Sequence, residues 1–236
     1  TAGVATLTVT LSEEARAGMA RYGIRTDEAF GVSVYELRRV AKRLGCDHDL
    51  ALALWETGNH EARLLASMVD APALVTEAQM EAWAAEFDSW DVCDQVTSNL
   101  FDKTPFAYDK VREWSAAPDE WVKRAAFATA AALAVQDKAA PDEAFVEILE
   151  TCRRQAGDDR NYVKKAVNWA LRNIGKRNLR LHAAAVATAE AILGEAEARA
   201  AADRKDPAAR AGRWIARDAL RELRSEKTLE RVRRRG

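Results

Sequence analysis

Residues 87–101, FDSWDVCDQVTSNLF, contain the groups best suited to chemistry on a cation. Trp90 and Asp94 stand four residues apart. On a helix that spacing puts both on one face, about 6 Å apart along the axis. An indole beside a carboxylate favours positive charge, through the ring quadrupole and the formal negative charge. Of the neighbouring acids, Asp88 suits a helix N-cap and Asp91 the positive first turn. Such a pair does not define a site on its own. By pattern alone Trp90 reads first as a core anchor, and Asp94 as a surface carboxylate or salt-bridge partner. Other chemistries find less support. His48, His60 and His182 do not cluster, so no metal site is expected, and no GxGxxG, P-loop or GxSxG motif occurs. No cofactor is implied. Cys46, Cys93 and Cys152 are odd in number and widely spaced, which predicts reduced thiols and a cytoplasmic protein.

The elements that would hold these residues all read as helices. Ser33 and Glu36 form a capping box ahead of SVYELRRVAKRLG, which Gly45 closes. Asp47, Asn59 and Thr76 open further helices, and Asp88 is expected to cap the one carrying Trp90. More follow at about 106–116, 119–137, 141–156, 160–174, 178–200 and 207–226, with prolines at or near several starts. Only VATLTVTL, near the N-terminus, hints at a strand. The helices WVKRAAFATAAALA and YVKKAVNWALRNIG look like one element used twice, starting 41 residues apart at Trp121 and Tyr162. That is the period of HEAT-type helix pairs, which bury their apolar faces only by stacking into a superhelical solenoid. We therefore expect an all-α solenoid of HEAT-like antiparallel pairs, one domain over 1–236. Residues 195–212 read as a loosely held helix or hinge, and RVRRRG as a solvated tail. Trp55, Trp83, Trp114 and Trp214 read as core or inter-repeat packing.

Charge is divided unevenly along the chain. Residues 151–236 carry 22 Lys and Arg against 11 Asp and Glu, and residues 1–150 carry 14 against 26. Such a split points either to a polyanion-binding surface or to a solvated imbalance. The densest basic cluster is Lys164, Lys165, Arg172, Lys176, Arg177 and Arg180. No apolar run is long enough to span a membrane, and residues 1–30 lack the features of a secretion signal. A first residue other than Met points to the removal of one or more residues.

Six motifs in a fixed order carry a resemblance: MARYG at 19–23, FGVSVYELR at 30–38, LWETGNHEARLLA at 54–66, SWDVCD at 89–94, WVKRAA at 121–126 and KKAVNWALR at 164–172. Together they resemble the AlkD-like DNA alkylation repair family, the HEAT-like repeat DNA glycosylases, over about residues 12–195. Residues 196–236 form a basic C-terminal helix and tail outside that core. The resemblance implies a concave DNA-binding face and a cleft lined by Trp90, Asp94 and Trp169. It also implies DNA contacts from Arg124, Arg172 and Tyr22, with Lys164 and Lys165 beside them. By residue type alone, Arg124 and Arg172 could equally be inter-helix salt-bridge partners. The implied activity is hydrolysis of the N-glycosidic bond of cationic N3- or N7-alkylated purines in duplex DNA, by a monomer. A fixed carboxylate would stabilise the oxocarbenium-like sugar, and the damaged nucleotide would lie against the cleft rather than flip into a deep pocket. Two alternatives stay open: a non-catalytic protein binding damaged or branched DNA, and a protein-interaction scaffold.

Overall fold

The computed structural model describes residues 13–21, 24 and 29–234. Among the described residues there are thirteen α-helices, one 3-10 turn and no strand. The strand candidate at 4–11 and the expected DNA contact Tyr22 both lie outside them. The helices are α1 (Glu13–Arg21), α2 (Val34–Leu44), α3 (His48–Glu56), α4 (His60–Val69), α5 (Glu77–Ala85), α6 (Trp90–Asn99) and α7 (Ala107–Trp114). They continue with α8 (Glu120–Gln136), α9 (Asp142–Gln155), α10 (Asn161–Ile174), α11 (Leu179–Ala202), α12 (Pro207–Leu223) and α13 (Glu226–Arg233). A 3-10 turn at Phe101–Lys103 links α6 to α7.

Local chemistry explains most boundaries. The side chains of Ser33, Asp47, Asn59 and Thr76 each accept a first-turn backbone N–H, satisfying a donor that the helix leaves orphaned. Gly45 ends α2 at φ 79°, a left-handed angle that favours glycine. Two expectations need correction here. The cap of α6 is Ser89 rather than Asp88. The last helical stretch is two helices, because Ser225 accepts from the Thr228 N–H and restarts the chain as α13. Basic residues expected as tail thus extend to Arg233 within a helix.

Helices α2, α4, α6, α8, α10 and α12 pack one against the next as a row, and α7, α9, α11 and α13 form a second row behind it. One cluster of buried apolar residues runs from Leu37 to Leu223. At its centre α8 is buried almost all round, and seven of its alanines are 4% exposed or less. Small side chains let neighbouring axes approach closely, so an alanine-rich helix suits the middle of the stack. The segment expected as a loosely held helix or hinge is the end of α11, a largely exposed link at 203–206 and the start of α12, packed at Ala196, Ala209, Ala211 and Gly212. A Cβ on Gly212 would come 3.0 Å from Ala196 Cβ, so α11 and α12 meet there with little space. Farther along, Trp55 and Trp83 stack with ring centroids 4.0 Å apart, and both are buried, as is Trp114. Trp214 is 40% exposed and does not belong to the core.

Asp102, in the 3-10 turn, is 8% exposed, and among the described residues neither carboxylate oxygen meets a partner on another residue. Burial pushes its pKa up to about 6. Because the folded-state value lies above the unfolded one, stability is complete below about pH 4 and falls as pH rises through 6. Asp102→Asn should therefore stabilise the fold by about 1–2 kcal/mol at pH 7.5 and by almost nothing at pH 4. Urea midpoints at the two pH values measure this. A variant no more stable than the parent at pH 7.5 would refute it.

Candidate active site

The row of helices opens a cleft of about 780 Å³ where α6, α8, α10 and α12 lie side by side. Its position depends on how α6 is anchored. Ser89 Oγ donates to Asp91 Oδ1 at 2.8 Å, and Asp91 Oδ2 lies 2.8 Å from His60 Nε2 on α4. Burial works against a charged His60, but Asp91, helped by Glu61 and Asp88, more than offsets it, so the imidazole is held above its ordinary pKa. A second tie lies close by. The buried Glu61 carboxylate accepts the backbone N–H groups of Phe30, Gly31 and Val32 at 2.9, 2.6 and 3.1 Å. The FGV and NHEAR motifs are thus joined by three charge-assisted bonds, a structural role rather than a catalytic one.

With α6 fixed, Trp90 and Asp94 both line the cleft. Asp94 is gripped by Arg124 of α8 in a two-pronged contact, Nε to Oδ1 at 3.0 Å and Nη2 to Oδ2 at 2.8 Å. Arg124 Nη1 also donates to the Tyr162 carbonyl at the start of α10, at 2.8 Å. The Asp94 side chain is 17% exposed and that of Arg124 is 6% exposed. Burial pushes the Asp94 carboxyl above its ordinary range, and Arg124 pulls it back without cancelling the shift. Burial likewise opposes the guanidinium charge, and Asp94 outweighs that, so Arg124 stays firmly protonated. Breaking such a pair by deleting one partner would strand a buried charge.

Helix α10 supplies the next wall. Trp169 is half-buried and lines the cleft with Lys165, which is exposed, and Arg172. Lys164 is not among the residues lining the cleft; its Nζ lies 5.6 Å over the ring of Trp214, which does line it. Arg172 does not stand open. Its Nη1 lies 2.5 Å from Glu222 Oε2 and 3.7 Å from Asp218 Oδ2, both on α12. The expected basic surface is likewise largely committed to internal partners. Lys176 pairs with Glu222, and Arg180 with Glu143. Arg177 Nη1 donates to the carbonyls of Ala134 and Asp137, capping the C-terminal end of α8.

Sequence reasoning missed the α12 side of the cleft. Trp214 and Asp218 repeat the Trp-xxx-Asp spacing of Trp90 and Asp94, and both line the cleft. Asn168 Nδ2 donates to Asp218 at 2.7 Å. The duplicated spacing was the available signal. Among the described residues no group of three or more His, Cys, Asp or Glu is placed to hold a metal, and no helix is long and apolar enough to cross a membrane. The Cys93 thiol, beside Asp94, is fully buried and pushed well above its ordinary pKa by burial, so it offers no thiolate.

Known proteins locate this architecture. One solved structure superposes with a TM-score of 0.68 over 77% of this chain and 78% of its own, at 22% identity. It is described as one of "a new family of proteins related to the HEAT-like repeat DNA glycosylases with affinity for branched DNA structures". At that identity the likeness shows a shared HEAT-like fold. Among curated proteins, none matches the chain in sequence. The family model for DNA alkylation repair enzymes matches residues 5–223 of the 236, a span that takes in every helix from α1 to α12. On that match, and with the helical stack described above, the chain belongs to the DNA alkylation repair enzyme family.

Proposed function

We propose that this protein is a DNA glycosylase that releases cationic N3- and N7-alkylpurines from duplex DNA. The observation that carries the proposal is a fixed carboxylate, Asp94, in an open cleft that the half-buried indoles of Trp90 and Trp169 also line. An alkylpurine with a formal positive charge departs as a neutral molecule, taking the glycosidic electron pair. Positive charge then resides on the deoxyribose. Asp94 stabilises it and orients a water that adds at the sugar carbon and gives up a proton. The indoles offer their faces to the cationic nucleotide and exclude bulk water. Lys165 and Arg21, also on the cleft, supply phosphate contacts that carry no sequence information. Arg124 acts as a positioning residue. Its prongs hold Asp94 ionised and aimed, although the resemblance alone implied a DNA contact.

The same fork favours a second reading. A carboxylate already engaged by a guanidinium has less net charge to offer, which suits a protein that binds damaged or branched DNA without excising a base. The decisive measurement is release of 7-methylguanine from methylated duplex by the purified protein. The glycosylase reading expects release, reduced about a hundredfold or more by Asp94→Asn, with duplex affinity retained. Absence of release from DNA that is nonetheless bound would establish the second reading.

Two further outcomes follow from the site. Uracil and hypoxanthine leave as anions unless protonated. Among the described residues lining the cleft the acids, Asp94 and Asp218, are each engaged by an arginine, so release of both bases should be negligible beside that of 7-methylguanine. Comparable rates would overturn the mechanism. The reaction also needs Asp94 ionised, so the single-turnover rate should fall as pH drops through its raised pKa. Arg124→Ala removes the group that pulls that pKa down, so the acid limb should move to higher pH. A limb that stays in place would show that Arg124 does not control Asp94.

A further inference from the structure

Helix α12 carries an arginine stripe that the cleft chemistry does not use. Arg210, Arg213, Arg217 and Arg221 recur every three or four residues, and so share a face rising about 16 Å along the axis. With Trp214 and Asp218 they line a groove of about 640 Å³. Three of the four arginines are exposed, and Arg213 is partly so. The acids facing the stripe do not neutralise it. Glu197 lies 3.9 Å from Arg217, and Asp218 contacts Arg221 but is also held by Asn168 and lies near Arg172. Trp214 and Asp218 line both this groove and the cleft, so the two are continuous.

We propose that the α12 groove binds a single-stranded DNA segment leaving the duplex held in the cleft; this rests on the DNA-binding reading above. Arginines in a row fit a phosphodiester backbone of either kind, but the exposed indole discriminates. Trp214 keeps 40% of its surface in solvent. A duplex keeps its base faces stacked inside, whereas an unpaired base can lie on an aromatic ring. A basic groove with an aromatic platform is the pattern of single-strand binding. Lys164, over the same indole, adds a cation where the strand would pass from cleft to groove.

The test compares a blunt duplex with the same duplex carrying an eight-nucleotide single-stranded flap, each titrated with the full chain over a range of salt. The flap should tighten binding about tenfold or more. Arg213→Ala with Arg217→Ala should remove that increment, leave blunt-duplex affinity unchanged, and lower the salt slope for the flap substrate by about 1.4. The charge-retaining Arg213→Lys with Arg217→Lys should keep the slope. A 2-aminopurine in the flap should be quenched by the parent and not by Trp214→Leu. Equal affinity for flap and blunt DNA overturns the inference and leaves the proposed function standing. Equal loss on both substrates in the alanine variant overturns it too, making α12 part of the duplex face. Binding to neither substrate removes the DNA-binding reading itself.

Discussion

One guanidinium joins the three helices at the centre of the molecule. Arg124 extends from α8 to the Asp94 carboxylate on α6 and to the Tyr162 carbonyl that begins α10. Buried ion pairs survive only with good geometry and further hydrogen bonds, and this one has both. Its demands set the local design. Seven alanines keep α8 thin, which brings the neighbouring axes within reach of one side chain. Trp121 and Tyr162, at equivalent places in successive repeats, meet with centroids 4.8 Å apart. Chemistry and packing therefore share an atom group: the contact that aims the carboxylate also sets the spacing of the helices that form the cleft.

Beyond that centre, polar side chains act mainly as ties between repeats. Arg160 reaches back to the Pro118 carbonyl at 2.6 Å, Glu120 accepts from the Tyr162 N–H, and Asn173 donates to the Ala131 carbonyl. Helix ends leave carbonyls and amides unsatisfied, and a stack of short helices has many of them. The Tyr162 amide, in the first turn of α10, is such a group, and each tie fixes one repeat on the next. The basic excess of the C-terminal half is partly explained in this way, without a nucleic-acid partner.

The sequence made some of this legible and hid the rest for identifiable reasons. Caps such as Ser33 and Asn59 are local, fixed within three residues, and could be read directly. Asp88 and Ser89 are both good cap residues, and only the start of α6 at Trp90 decides between them. The break at Ser225 lay inside a run of charged residues with helical spacing on both sides. Trp214 looked like core by its apolar neighbours, yet α12 ends the front row and no later helix of that row covers it. The ordered motifs singled out Trp90, Asp94, Arg124, Lys165, Trp169 and Arg172, which the fold brings to one cleft, whereas Lys164 sits beside it on Trp214. The Arg124–Asp94 fork could not be inferred from periodicity, since it spans thirty residues and depends on which helices become neighbours. Residue type allows Arg124 and Arg172 either a DNA contact or an inter-helix pair, and the fold gives each an acid on a neighbouring helix, Asp94 and Glu222.

The cleft takes residues from α6, α8, α10 and α12, alternate helices of a stack whose units touch only their neighbours. In evolutionary terms this divides the chain into regions with different freedom to change length. Gaining or losing a helix pair behind α12 would alter the footprint and leave the site intact, and loss of α1 would take only Arg21 from the cleft. The same event between α6 and α10 would shift every later side chain by one step of the stack, parting Trp169 from Asp94 in a single stroke. Lineages of this fold should therefore vary at their ends and keep the middle repeats constant in number, even where the residues there drift.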